Sequence, residues 1–346
     1  MLIALNGFGR IGRTVLRTYL QRLDDISKIP IVAINDVADP KTLLHLLNFD
    51  STHGSLAKIG MSADIENTDG VFVLKICRKN QIAKIFLLNE PDPQKLPWKA
   101  FKINIVLECT GHFRSYKKAN LHLKAGAKQV IIGAAPFDYV DACVVMGVND
   151  NVLSKKLPII SGVSCTTQAL VPLLFTLDNA FGLNSVLMTE IHATTADQMV
   201  LDQAHRDLRR ARAAGHNMIP TTSSSINATL QVMPHLDGKI NGYSIRVPTI
   251  NVACIDITVT FDRYVTLDEL KTQLKTASQT SLKSIMAYNE LPLVSSDFIG
   301  DTHSLVVDDE YIMQAGTAFK IMAWYDNEVG YANRLLDMCN KLNNCL

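Results

Sequence analysis

The run Asn6-Gly7-Phe8-Gly9-Arg10-Ile11-Gly12 narrows the fold of this chain more than any other stretch, because of what flanks it. Before it comes Leu2–Leu5, a short apolar run of strand character. After it, Arg10–Leu23 carries apolar residues at Ile11, Val15, Leu16, Tyr19 and Leu20, the spacing of a helix. Strand, glycine-rich turn and helix in that order open a βαβ unit that binds a dinucleotide. Gly7, Gly9 and Gly12 permit the tight turn, and backbone N–H groups around Arg10 and Ile11 reach a pyrophosphate at the helix amino terminus. Asp36 closes the next apolar run, Val32-Ala33-Ile34-Asn35-Asp36, 24 residues past Gly12. A carboxylate there accepts both ribose hydroxyls of NAD and repels the extra phosphate of NADP, so NAD is the expected cofactor.

The first half of the chain keeps the strand–helix alternation. Strands are expected at Ile31–Ile34, Ile103–Glu108, Gln129–Gly133 and Cys143–Gly147, with a helix at Ser115–Lys124. Such short apolar runs belong to strands buried on both faces of a parallel sheet, which predicts a doubly wound α/β domain. Near residue 164 the texture changes. A helix over Thr166–Phe181 leads into β-branched runs at Val186–Thr195, Tyr243–Val247, Ile250–Phe261 and Ile312–Trp324, read as an α+β domain with a mostly antiparallel sheet. Thr266-Leu267-Asp268-Glu269 is a capping box opening a helix to about Ser278, and a last helix covers about Glu328–Leu342.

Composition removes several function classes. With 34 Lys plus Arg against 33 Asp plus Glu, no global field favours nucleic acid or an anionic membrane. The seven cysteines form no CxxC pair, so reduced thiols and no metal centre are expected. No apolar run reaches the roughly 18 residues of a membrane span, and the first strand begins at Leu2 with no leader before it; the expected location is cytoplasmic.

Two clusters carry chemistry. Cys165, in Ser164-Cys165-Thr166-Thr167, sits where a strand (Pro158–Ser161) gives way to a helix, and helix amino termini favour a thiolate. His192, in Ile191-His192-Ala193-Thr194-Thr195, is the candidate partner. An ordinary thiol is only about 3% ionised at neutral pH, so full ionisation gains roughly 30-fold; the imidazole contributes mainly by moving a proton and stabilising an oxyanion. Taken singly, a cysteine is more often a small buried hydrophobe and a strand histidine a satisfied core residue. The segment His205–Arg212 holds four arginines and reads either as a solvated loop or as a phosphate clamp. Arg246 is the single charge in Ile245-Arg246-Val247 and requires an anion.

Asn6–Arg13, His45–Gly54, Ser164–Thr167, Ile191–Gln198, Asp207–Ala214, Arg246–Asn251 and Trp324–Tyr331 together resemble the glyceraldehyde-3-phosphate dehydrogenases, a superfamily that also includes erythrose-4-phosphate dehydrogenase. The resemblance implies a Rossmann-type NAD domain over 1–164, completed by a carboxyl-terminal segment 327–346, a catalytic domain over 165–326, and a homotetramer. It implies Cys165 as nucleophile and His192 as its base. Thr195 and Arg246 would hold the sugar phosphate, and Arg210, Ser164, Ser223 and Ser224 a second anion, inorganic phosphate. Thr166 would flank the nucleophile, Asn327 would hold the nicotinamide carboxamide, and Thr110-Gly111 would lie beside the adenosine.

The implied reaction is NAD-dependent oxidation of a phosphorylated aldehyde through a cysteine thioester. Glyceraldehyde 3-phosphate plus phosphate is the expected substrate pair, and erythrose 4-phosphate with hydrolysis of the thioester is the alternative. The chain departs from the family at several places. Gln168-Ala169 stands where Asn-Cys is usual, which removes a disulfide partner for Cys165, and Ser223-Ser224-Ser225 replaces a glycine-containing loop. Asn289–Ser295, Asp301–Ser304 and Tyr331–Arg334 look closer to the erythrose-4-phosphate enzymes.

Overall fold

The computed structural model describes residues 1–78 and 81–345. Residues 79–80, inside the expected first domain, and Leu346, the end of the expected carboxyl-terminal segment, lie outside the described residues. The chain divides into two compact units: Met1–Val144 with Val152–Gly162 and Leu335–Leu346, and Val145–Asn151 with Val163–Arg334.

The first unit is built on a nine-stranded sheet. Across it run Ala142–Cys143, Ile159–Ser161, Gln129–Ile132, Ile105–Glu108, Ile3–Asn6, Ile31–Asn35, Gln81–Leu88, Val71–Arg78 and Met61–Thr68. The pairings from Ala142 to Gln81 are parallel, and the last two are antiparallel. Ile3, Ala4 and Leu5 have no exposed surface, as expected of a strand covered on both faces. Strand order reverses at Ile3–Asn6, so the carboxyl ends of Ile3–Asn6, Ile31–Asn35 and Ile105–Glu108 open a crevice of the kind that binds nucleotides.

The expected helices form at Arg10–Gln21 and Tyr116–Lys124. The hairpin Met61–Thr68/Val71–Arg78 was not expected. It turns on Asp69-Gly70, both at positive φ (52° and 84°), the two-residue turn that suits twisted strands. The expected strand Cys143–Gly147 shrinks to an edge pair, Ala142–Cys143.

In the second unit the helix Cys165–Phe181 is apolar and buried along most of its length. Its sheet runs Ile219–Thr221, Ile240–Val247, Leu183–Ala193, Ala253–Phe261, Ala318–Tyr325, Leu305–Asp308 and Met286–Asn289. Four of these pairings are antiparallel; Leu183–Ala193 with Ile240–Val247, and Met286–Asn289 with Leu305–Asp308, are parallel. The expected strand Ile312–Trp324 is instead a hairpin, Met313–Ala315 and Ala318–Tyr325, because Gly316 turns at φ 61°. The capping box holds: Thr266 and Glu269 exchange hydrogen bonds at the start of Leu267–Gln279. The last helix is Val329–Asn344. No helix among the described residues is long and apolar enough to cross a membrane.

Candidate active site

In the first unit the fingerprint loop is shaped by its glycines. Gly7 has φ 93°, and a Cβ there would meet the backbone N of Thr110 at 2.7 Å; a Cβ on Gly12 would meet the Gly7 carbonyl oxygen at 2.1 Å. The loop is thereby drawn against its own helix and against Cys109–Thr110. At Gly9, the residue capping Arg10–Gln21, a Cβ would meet nothing within 4 Å, and no side chain caps the helix N–H groups. That open, donor-rich terminus fits a pyrophosphate. Asp36 is fixed rather than free: Oδ2 accepts from Phe8 N–H at 2.6 Å and Oδ1 from Ala38 N–H at 2.9 Å. Its remaining lone pairs are available to ribose hydroxyls. Arg10 pairs with Asp50 at 2.7 Å, so its backbone and not its guanidinium serves an anion.

Sequence reasoning missed the network beneath this loop. Buried Glu108 accepts from Asn6 Nδ2 at 2.6 Å, from Thr110 N–H at 2.8 Å and from the Thr110 hydroxyl. Trp98 Nε1 donates to His122 Nδ1 at 3.0 Å, so His122 Nε2 carries the proton and donates to Glu108 at 3.1 Å. Asn35 Nδ2 donates to Asn6 Oδ1 at 2.7 Å. Asn6, Asn35 and Glu108 end three adjacent strands, so the bonds lock the crevice edge and hold Thr110-Gly111 in place. The available signal was polar residues terminating apolar strands.

In the second unit Cys165 is the first residue of its helix. Ser164 caps it, its hydroxyl accepting from Thr167 N–H at 3.1 Å. The preceding residue, Val163, is held at φ 50°, a conformation that β-branched side chains rarely adopt. The Tyr331 hydroxyl donates to the Val163 carbonyl at 2.8 Å. Across the sheet Val252 is at φ 71°, and its carbonyl accepts from Ala193 N–H at 3.2 Å. Strained backbone thus flanks both Cys165 and His192, as is common at functional sites.

Cys165 Sγ lies 3.7 Å from His192 Nε2. His192 Nδ1 is 2.7 Å from the Ala193 carbonyl oxygen, which can only accept. Nδ1 therefore carries the proton and Nε2 presents a lone pair to the sulfur. Alternation along Leu183–Ala193 places Glu190 on the same sheet face as His192, and register sets Arg246 beside His192 on the neighbouring strand. Glu190 was not foreseen. Its Oε1 accepts from the Thr166 hydroxyl at 2.7 Å and lies 3.9 Å from His192 Nε2; its Oε2 accepts from the Ser223 hydroxyl at 2.6 Å.

These neighbours set the charge states. Burial, reinforced by Glu190, pushes the Cys165 thiol up to about 11 against the pull of Arg246 and Thr166. Burial, reinforced by Arg246, lowers His192 to about 4 against Glu190 and the Ala193 bond. Burial alone would raise Glu190, but His192, Arg246 and the two hydroxyls outweigh it and the carboxyl is lowered. The expected thiolate is therefore replaced by a neutral thiol facing a neutral imidazole, with Glu190 ionised.

Of the expected anion ligands, Arg246 is the available one: its buried Nε and Nη1 have no hydrogen-bond partner among the described residues. Arg210 is engaged by Asp197, by Asp207 at 3.5 Å and by Thr221 at 2.8 Å. The Ser223 hydroxyl is given to Glu190, and Ser224 caps Ser225–Val232 without a side-chain bond. Thr195 N–H donates to Gln198 at 3.2 Å. Buried Asn327 has an Oδ1 without a partner, which suits the amide N–H of a carboxamide. None of the seven cysteines forms a disulfide, and no cluster of metal-ligating side chains exists among the described residues.

Residues 1–116 match the family model described as glyceraldehyde 3-phosphate dehydrogenase, NAD binding domain, and residues 164–327 match its C-terminal domain. Among similar proteins, glyceraldehyde-3-phosphate dehydrogenase 1 of Bacillus cereus is 41% identical over 338 residues, covering 97% of this chain and 96% of its own. The glyceraldehyde-3-phosphate dehydrogenase of Geobacillus stearothermophilus is 42% identical over 339 residues with the same coverage. The chromosomal enzyme of that name in Cupriavidus necator is 42% identical over 338 residues, again at 97% and 96%.

Proposed function

The chain belongs to the glyceraldehyde-3-phosphate dehydrogenase family and is an NAD-dependent oxidoreductase, and from that premise we propose that it oxidises glyceraldehyde 3-phosphate with inorganic phosphate to 1,3-bisphosphoglycerate. The observation that carries the choice of a phosphorylated aldehyde is Arg246: a half-buried arginine whose buried Nε and Nη1 lack partners among the described residues, one strand from the nucleophile's base, requires an anion. Thr195 joins it as a ligand of that phosphate.

Cys165 attacks the aldehyde carbon as His192 Nε2 takes the thiol proton. The imidazolium then faces the new oxyanion and stabilises it. His192 gives that proton to the oxyanion, forming the hemithioacetal hydroxyl, and, neutral again, takes it back as the carbon is oxidised to a thioester on Cys165. When bound, NAD supplies the two-electron acceptor for that oxidation; Gly7, Gly9, Arg10, Ile11, Gly12, Asp36, Thr110 and Gly111 would hold its pyrophosphate and ribose. Phosphate then cleaves the thioester and restores the thiol.

The test is NADH formation with glyceraldehyde 3-phosphate, erythrose 4-phosphate and unphosphorylated glyceraldehyde, at varied inorganic phosphate. Arg246 implies at least a roughly 100-fold preference in kcat/KM for a phosphorylated over the plain aldehyde. Equal turnover of glyceraldehyde would refute the role of Arg246, and faster turnover of erythrose 4-phosphate would reassign the substrate.

The chain is further proposed to form a homotetramer in the cytoplasm. Support for the first is the exposure of Leu187 and Tyr243 on the outer sheet face and of Val200, Leu201, Leu208 and Met218. Support for the second is that none of the seven cysteines is paired in a disulfide. Light scattering is expected to give four times the chain mass, and a monomer mass would overturn the assembly.

A further inference from the structure

We propose that Glu190 determines which acceptor takes the acyl group from Cys165: its carboxylate occupies the hydroxyls of Thr166 and Ser223 and disfavours inorganic phosphate there, so that phosphate binds weakly and water competes for the thioester. The inference rests on reading Cys165 as the residue that carries the thioester.

Counting protons fixes the direction of the network. Thr166 donates its one hydroxyl proton to Glu190 Oε1, so the Tyr325 hydroxyl, 2.9 Å from Thr166 Oγ1, is the donor in that pair. Ser223 donates to Glu190 Oε2, so Ser225, 2.6 Å away, donates to Ser223. Both chains of donors end on one carboxylate that is only 2% exposed. Neither Thr166 nor Ser223 retains a proton for a phosphate oxygen while Glu190 holds them.

The titratable and charged groups around Glu190 are His192 on its own strand, Arg246 on the adjacent strand, and the Cys165 and Tyr325 groups on the helix and on Ala318–Tyr325. Arg246 is the single fixed cation of this group, and the substrate's own phosphate claims it. A second phosphate would enter beside Glu190 with its hydroxyl donors already engaged and a like charge in contact range.

Water meets neither obstacle. Attack by a phosphate or water oxygen forms a C–O bond and breaks the C–S bond at the same carbon. The sulfur leaves with the electron pair and regains a proton through His192, while the attacking oxygen loses one. Phosphate yields an acyl phosphate, water a carboxylic acid, and no oxidation state changes.

Two measurements on full-length wild type and Glu190→Gln test this. The first, which needs no substrate turnover, is protection of Cys165 from iodoacetamide by inorganic phosphate. The half-protecting concentration is expected to fall at least about 10-fold in the variant. The second is the ratio of acyl phosphate to free acid formed at fixed phosphate, expected to rise in the variant. Glu190→Asp should stay near wild type in both, and Glu190→Thr replaces the glutamine variant if that one fails to fold. An unchanged half-protecting concentration, or an unchanged product ratio, overturns the assignment. Failure of the aldehyde to be oxidised at all would instead refute the proposed function, and the protection assay would still decide the role of Glu190.

Discussion

Replacing Cys165 with serine is expected to lower dehydrogenase turnover by roughly four orders of magnitude or more while NAD binding stays within about threefold of wild type. The substituted oxygen occupies the same first position of the helix, and the Ser164 cap and the Thr167 bond are untouched. A hydroxyl is a far weaker acid than a thiol and a far weaker nucleophile toward an aldehyde, and the thioester cannot form. Stability should change by less than about 1 kcal/mol, because one atom is exchanged for a slightly smaller one at a half-buried site. The residues expected to bind the cofactor pyrophosphate and ribose, Gly7–Gly12 and Asp36, belong to the other compact unit, so equilibrium titration with NAD should be insensitive to the change. Retained turnover would remove Cys165 from the mechanism. Lost NAD binding would show that the substitution acts on the fold.

Much of this was readable from residue order alone, and the reasons are specific. Ile3–Asn6 and Arg10–Gln21 were legible because local pattern and tertiary role coincide: an apolar strand, a turn that admits only glycine, and a helix with one apolar stripe. Cys165 and His192 were legible as types, and their 3.7 Å approach follows from a helix start meeting a strand end. The hairpin at Asp69-Gly70 was missed although its turn signal stood in the sequence, since its strands are half-exposed and mix Lys75, Glu66 and Asp64 with apolar residues. Glu190 was illegible for another reason. In Met188-Thr189-Glu190-Ile191 it reads as a charge on a strand; alternation puts it on the face of His192, but only register brings Arg246 beside them and only the fold brings Thr166 and Ser223 to its oxygens. The thiol's ionisation was misjudged for the same cause: the helix amino terminus is visible in sequence, whereas the burial and the carboxylate that oppose it are not.

Replacing His192 with asparagine should lower kcat by about 10²- to 10⁴-fold, and its pH dependence separates a base from a spacer. With the Cys165 thiol pushed up to about 11, only about one molecule in 10⁴ holds a thiolate at neutral pH, so attack depends on proton transfer to Nε2. Asparagine preserves approximate volume and can still donate to the Ala193 carbonyl, but it cannot take a proton. In wild type the imidazole is lowered to about 4, so kcat/KM should hold steady with respect to this group from about pH 5 upward and decline as pH falls through 4. The variant should lose that acid limb and depend on hydroxide instead, its rate rising about tenfold per pH unit toward 11. Stability carries the matching sign. The folded His192 binds its proton less readily than the unfolded ordinary value of about 6.5, so its contribution is fully present above 6.5 and is lost as pH falls toward 4. Acid unfolding of His192→Asn should therefore move to lower pH than in wild type even as activity drops. A variant that keeps kcat within threefold, or that retains the acid limb near 4, would assign the proton transfer to another group, with Glu190, 3.9 Å from Nε2, the first to substitute.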